Sequence, residues 1–292
     1  MDAAQRQVAD QRFAELITYF DQPPLEGQDV KYNRVELVRL TYQYSLSDES
    51  KGNFLRAFFE WIGTPINEDF NTAEINLPNA ALRTSIFLFA DYLIENFFLP
   101  LKASIGKSPQ PTPGSQSSIL ALQRGADLGT PERVSALRGA CLIRDRHRCV
   151  ITRRYDVEQL KKQEKTSQGH HELRDDDGSP LAAHTRFSNL EVAQIIPHSL
   201  TRVNANNELD PSKVAALAIL NMFDVGAAFL IEGTNIDRPG NALTLTPSMH
   251  YHFGAFDIYF EAAEGQNHTY NIRSFLRDGV IDELPTTRSL LG

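Results

Sequence analysis

The stretch Leu190-Glu191-Val192-Ala193-Gln194-Ile195-Ile196-Pro197-His198-Ser199-Leu200 decides how this chain is read. Apolar residues run to Ile196, and the proline after them cannot donate to a strand ladder. The stretch therefore reads as a short buried strand. Gln194 interrupts it between Ala193 and Ile195. A polar side chain in such a place is either tied down by hydrogen bonds in the core or placed for chemistry.

Around that strand lie 292 residues, enough for two domains of ordinary size, with an apolar content of 41% that suits a globular protein. No stretch reads as a membrane span, because the most apolar window, 86–101, contains Asp91, Glu95 and Asn96. The N-terminal residues Met1-Asp2-Ala3-Ala4-Gln5-Arg6 form no apolar signal core. Cys141 and Cys149 are the only cysteines, too few for a disulfide framework. An intracellular protein, in cytoplasm or nucleus, is expected.

The net charge of −8 argues against a surface coated for nucleic acid. The average conceals a pattern, however. Residues 101–165 carry 13 Lys/Arg against 6 Asp/Glu, a net of +7, between two acidic segments. A run of this kind is either a solvated helix face or a local phosphate-binding surface, and the latter needs only a few cations in one place.

In chain order, apolar residues at helical spacing predict helices over 3–20, 30–44 and 54–62, and over 80–99 with Asn79 as cap. These make 1–104 a helical domain, whose aromatic residues read as core. The segment 105–131 is rich in Pro, Ser and Gly and reads as a linker. Thr130 and Pro131 then open a helix that ends near Arg146, and a short strand is expected through Cys149 to Thr152. Residues 161–188 read as a charged surface loop. An apolar helix is expected over 214–229 and a short strand over 242–246. Pro247 to Phe253 should be a short helix stopped by Gly254, and 256–262 with 270–275 a hairpin.

Four separated words, RDRHRCVIT (144–152), EVAQIIPHSL (191–200), NMFDVG (221–226) and RPGNALTLTPSMHYHFGAFDIYFE (238–261), resemble in order the HNH endonuclease domain of many fungal proteins. The resemblance covers 133–275. It implies an α+β chain: an N-terminal helical domain, then over 132–292 an HNH-type ββα-metal domain with a C-terminal β-hairpin. In that family a divalent cation (Mg, Mn or Zn) polarises the scissile phosphate, and a strand histidine takes the proton from water. An asparagine in the loop hydrogen-bonds backbone and holds that histidine's ring, and a helix histidine binds the metal. Carried onto this chain, the asparagine is Asn241, the helix histidine is His250, and the general base is Gln194. Family members typically read AHIIP where this chain reads Ala193-Gln194-Ile195-Ile196-Pro197.

A carboxamide does not titrate in the physiological range, so Gln194 cannot take that proton. His198, just past Pro197, is a substitute base in reach of the same strand end. Metal ligation would rest on His250, with His252, Glu191 or Asp257 as further donors. Arg144, Arg146, Arg148, Arg153 and Arg154 are the cations expected to meet DNA within the basic 133–165 segment. Three functions remain open: a nuclease with impaired hydrolysis, a nucleic-acid-binding module that does not cut, and an HNH-fold protein repurposed for a small molecule in a fungal biosynthetic pathway.

Overall fold

The computed structural model describes residues 1–21, 32–67, 80–105, 131–166, 173–197, 200, 211–230, 236–282 and 284–290. The linker expected at 105–131 lies almost wholly outside these, as do Asn79 and Thr130. The helices in chain order are α1 (Ala3–Phe20), α2 (Arg34–Gln43), α3 (Asp48–Trp61), α4 (Ala80–Leu93), α5 (Leu99–Ile105), α6 (Pro131–Arg144), α7 (Val157–Thr166), α8 (Pro211–Phe223), α9 (Val225–Leu230) and α10 (Pro247–Gly254). The strands are β1 (Tyr155–Asp156), β2 (Phe187–Ser188), β3 (Glu191–Gln194), β4 (Ala242–Leu245), β5 (Ile258–Ala262), β6 (Thr269–Ser274) and β7 (Thr287–Ser289). The chain is α+β, with helices first and small sheets after.

Its residues gather into two compact units, one of 1–100 with 200–232 and the other of 101–199 with 233–292. This is not a division at one linker: the helices between β3 and β4 belong to the helical unit. The physical reason is the apolar face of α8. Ala216, Ile219, Leu220 and Met222 are buried, the ring of Phe97 stacks on Phe223 at 5.9 Å, and Ser45 donates to the Met222 carbonyl at 2.6 Å.

Within the helical unit, local signals start the helices. Asp2 and Gln5 form a capping box on α1, and Ser47 accepts from the Ser50 amide to cap α3. The core is aromatic, with Phe13, Phe54, Phe58 and Phe89 fully or nearly buried. Phe13 meets Phe54 and Phe58 edge-on at 5.4 and 5.0 Å. The helix from Ala80 to Ala103 passes the length and hydropathy test for crossing a membrane. Its apolar stripe of Leu82, Ile86, Phe89 and Leu93 is buried within the bundle, and Asp91 on the same helix pairs with Arg34 at 2.9 Å.

In the second unit β3 and β4 form an antiparallel hairpin in the register Glu191↔Leu245 to Gln194↔Ala242. Alternation along the strand sends Ala193, Leu243 and Leu245 to one core with Met249 of α10, and Val192 and Ala242 to the other face with Leu137 and Cys141 of α6. Thr246 caps α10 by accepting from the Met249 amide at 3.3 Å, and Pro247 occupies its first turn. Gly254 is the last residue of α10 and Ala255 its cap, and the chain turns two residues on at Phe256, whose φ is 62°.

Three local expectations differ from what forms. Cys149 to Thr152 is a tight turn and not a strand, because the Arg153 amide bonds back to the Cys149 carbonyl at 3.0 Å. The charged stretch from 161 starts inside α7 rather than a loop, and further on Arg174 bridges Pro180 and β2 pairs in parallel with β1. The C-terminal hairpin β5–β6 gains a third strand, β7.

Candidate active site

Asn241 ends the 3-10 turn Pro239–Asn241 and leads straight into β4. Its Oδ1 accepts from the Ile196 amide at 2.9 Å. Its Nδ2 donates to the Ile196 carbonyl at 2.8 Å and to the Ile236 carbonyl at 3.0 Å. One buried amide thus ties the loop to the segment just beyond β3.

Gln194 closes β3 opposite Ala242 and is partly exposed. Among the described residues its carboxamide makes no hydrogen bond. By strand alternation it lies on the face of Val192, whereas Glu191 and Ala193 lie on the face covered by α10. His198 lies outside the described residues.

His250 is buried at 6% exposure, and its Nδ1 is 2.7 Å from Glu191 Oε2. Strand and closing helix therefore meet in a carboxylate–imidazole pair at the face where Ala193 offers no donor. His252 does not join it: two positions apart on a helix point to different sides, and His252 Nδ1 pairs with Asp257 at 2.9 Å. His250 and His252 are thus separate pairs.

A carboxylate oxygen and an imidazole nitrogen side by side fit two positions of a divalent cation whose remaining ligands are water. Among the described residues no group of three His, Cys, Asp or Glu comes together. The donor set fits a partly hydrated ion held by Glu191 and His250, and does not fit a closed structural site. Cys149 accepts from the Thr152 amide at 3.4 Å, and burial pushes the Cys141 thiol up to about 12, so both behave as core thiols.

The arginines divide. Arg144 bonds Asp145 at 2.6 Å and the carbonyls of Pro239 and Ala242, pinning α6 to the base of β4. It is structural. Arg138 donates to the Leu190 carbonyl at 2.9 Å, and Arg133 forms a buried pair with Asp237 at 2.9 Å. Arg146 pairs with Asp177 at 2.7 Å on the surface. Arg148 lies over the Tyr155 ring, and Arg153 is exposed. Arg154 is half-buried in the same turn.

A two-stranded antiparallel hairpin closed by a short helix, with an asparagine clasp and a helix histidine facing the first strand, defines the ββα class. In keeping with that geometry, residues 149–261 match the family model described as HNH endonuclease. No curated protein and no solved structure matches the chain.

Proposed function

We propose that the second unit is an HNH-type site acting on nucleic acid in which hydrolysis of the phosphodiester is weak or lost. The observation that carries the reading is Gln194 at the end of β3, beside an intact asparagine clasp. Its amide can hold a water by hydrogen bonds, but it cannot accept the proton that an attacking water must lose. A positioned general base contributes roughly 10²–10⁴-fold, and that share of the rate is absent.

The other parts keep their roles. Asn241 holds the strand end and loop in register. Glu191 orients the His250 ring through Nδ1, and the two are the residues that would hold a divalent ion. When bound, such an ion polarises the phosphate and stabilises the departing oxygen.

The test is incubation of the purified full chain with supercoiled plasmid and Mg²⁺, Mn²⁺ or Zn²⁺. Nicking at or barely above the metal-only background is expected. Rapid conversion to nicked or linear plasmid with any of the three overturns the reading.

A further inference from the structure

The turn 149–154 is gripped by two arginines and carries a third, and none of the three pairs with a carboxylate among the described residues. Arg148 donates from Nη1 to the Arg153 carbonyl at 3.3 Å. Arg288, which reaches the turn from β7, donates from Nε to the Ile151 carbonyl at 2.8 Å across 137 residues of chain. Arg153 is exposed, sits at a φ of 59°, and makes no side-chain hydrogen bond among the described residues. By contrast Arg133, Arg144 and Arg146 each have a carboxylate.

This arrangement is costly by itself. A non-glycine residue at positive φ is strained, and like charges drawn to one turn repel. Burial, then Arg148 and Arg288, pull the Arg153 guanidinium below its ordinary value. A protein with a net charge of −8 has acidic side chains in excess, yet among the described residues none forms an ion pair with these three cations. Guanidinium forks that keep donors unspent suit the oxygens of a phosphate. The turn is also fixed to the site, because the Val150 amide donates to the Thr244 carbonyl of β4 at 2.9 Å. A polyanion crossing the hairpin would carry further phosphates beyond the reacting one.

We infer that Arg148, Arg153 and Arg288 form a phosphate-binding cluster for a nucleic-acid backbone, extending the HNH-like site to β7, outside the segment that the family model matches. The inference rests on the reading that this domain acts on nucleic acid. It does not depend on the rate of hydrolysis.

The experiment measures binding of the full chain to a short fluorescent DNA duplex by anisotropy, with EDTA present so that nothing is cut. Salt is varied from about 50 to about 200 mM. Arg153→Gln, which loses no described bond, should make the slope of log affinity against log salt shallower by about one. The triple variant Arg148→Gln/Arg153→Gln/Arg288→Gln should make it shallower by about 2–3 and bind roughly 10-fold more weakly at ~100 mM salt. Arg56→Gln in the helical unit should change neither.

Unchanged slopes in Arg153→Gln and in a triple variant with wild-type circular dichroism overturn the cluster. So does absence of salt-dependent DNA binding by the wild type. Calorimetry with inorganic phosphate separates the sources: tight phosphate uptake without DNA affinity overturns the assignment to a nucleic-acid backbone. None of these outcomes bears on plasmid nicking, so the proposed impairment stands or falls separately.

Discussion

Two neighbouring parts of the hairpin site are held in opposite ways. Asn241 spends its whole side chain on three backbone groups, at Ile196 and Ile236. Gln194, just before Ile195 and Ile196, commits its amide to nothing among the described residues. Both are carboxamides in one small site, yet one is a structural fastener and the other is free of structural duty. A side chain that the fold does not use can be exchanged without unfolding the protein; one that satisfies buried amides and carbonyls cannot. The comparison separates a residue that the frame needs from one that it does not.

The sharpest way to break the comparison is Gln194→His. An imidazole at this position should raise plasmid nicking by roughly 10²–10⁴-fold in the presence of a divalent ion, which corresponds to about 3–5 kcal/mol of barrier. Thermal stability should stay within a degree or two of wild type, since the side chain makes no hydrogen bond among the described residues. A flat nicking rate at unchanged stability would mean that the missing base is not the sole deficit, and Ala193 on the α10 face would be the next residue to change.

On the structural side the largest effect is expected from Arg133→Ala. Arg133 and Asp237 are 7% and 4% exposed in their side chains, so the variant takes the guanidinium from a buried carboxylate beside the 3-10 turn that carries Asn241. Removing one member of such a pair costs roughly 3–5 kcal/mol. Urea denaturation should show the loss, and a shift in midpoint below a few tenths molar would mean that Asp237 is satisfied without its partner.

Asn241→Ala should cost somewhat less, about 3 kcal/mol, because it leaves the Ile196 amide and two carbonyls without this partner. Asn241→Asp sharpens the point. A carboxylate can still accept from the Ile196 amide but cannot donate to the Ile196 and Ile236 carbonyls, so its stability should fall between alanine and wild type. Equal loss in both variants would mean that the donor half of the clasp carries the energy.

Much of this frame was legible in the chain before any coordinates. Strand β3 announces itself by its apolar run and its proline, and Asn241 and His250 follow from words spaced in the family order. The helices of the first unit follow from apolar spacing. What could not be read are partners set by long-range geometry. Glu191 meets His250 across 59 residues, and no local pattern says which of several carboxylates a histidine will find. Arg288 looks like one more surface cation on a short strand. The helix α8 was recognisable as buried, but an apolar face names no partner, and its place with Phe97 and Ser45 is a tertiary choice. The basic run could not be resolved residue by residue, since Arg133, Arg138 and Arg144 spend their charge on holding the second unit together while Arg148 and Arg153 do not.

The smallest expected effect concerns Asp156, a scaffold residue whose charge is a liability. It is 3% exposed, and burial raises its carboxyl above the ordinary 3.8, against the opposing pull of His147 and Arg138 and hydrogen bonds from the backbone at Glu158 and Gln159. A carboxyl whose folded value is raised holds its proton more tightly in the native state. Its contribution to stability is therefore full below the unfolded value and is lost as pH rises through the folded one. Asp156→Asn keeps an oxygen to accept from the Glu158 amide and never ionises. The variant should match wild type in acid and become slightly the more stable of the two as pH climbs toward neutrality, as read from melting temperatures across pH 3 to 7. If it is instead the less stable at neutral pH, the attraction of Arg138 and His147 for the carboxylate outweighs its desolvation. Asp156 would then belong with Asn241 among the fasteners of the fold.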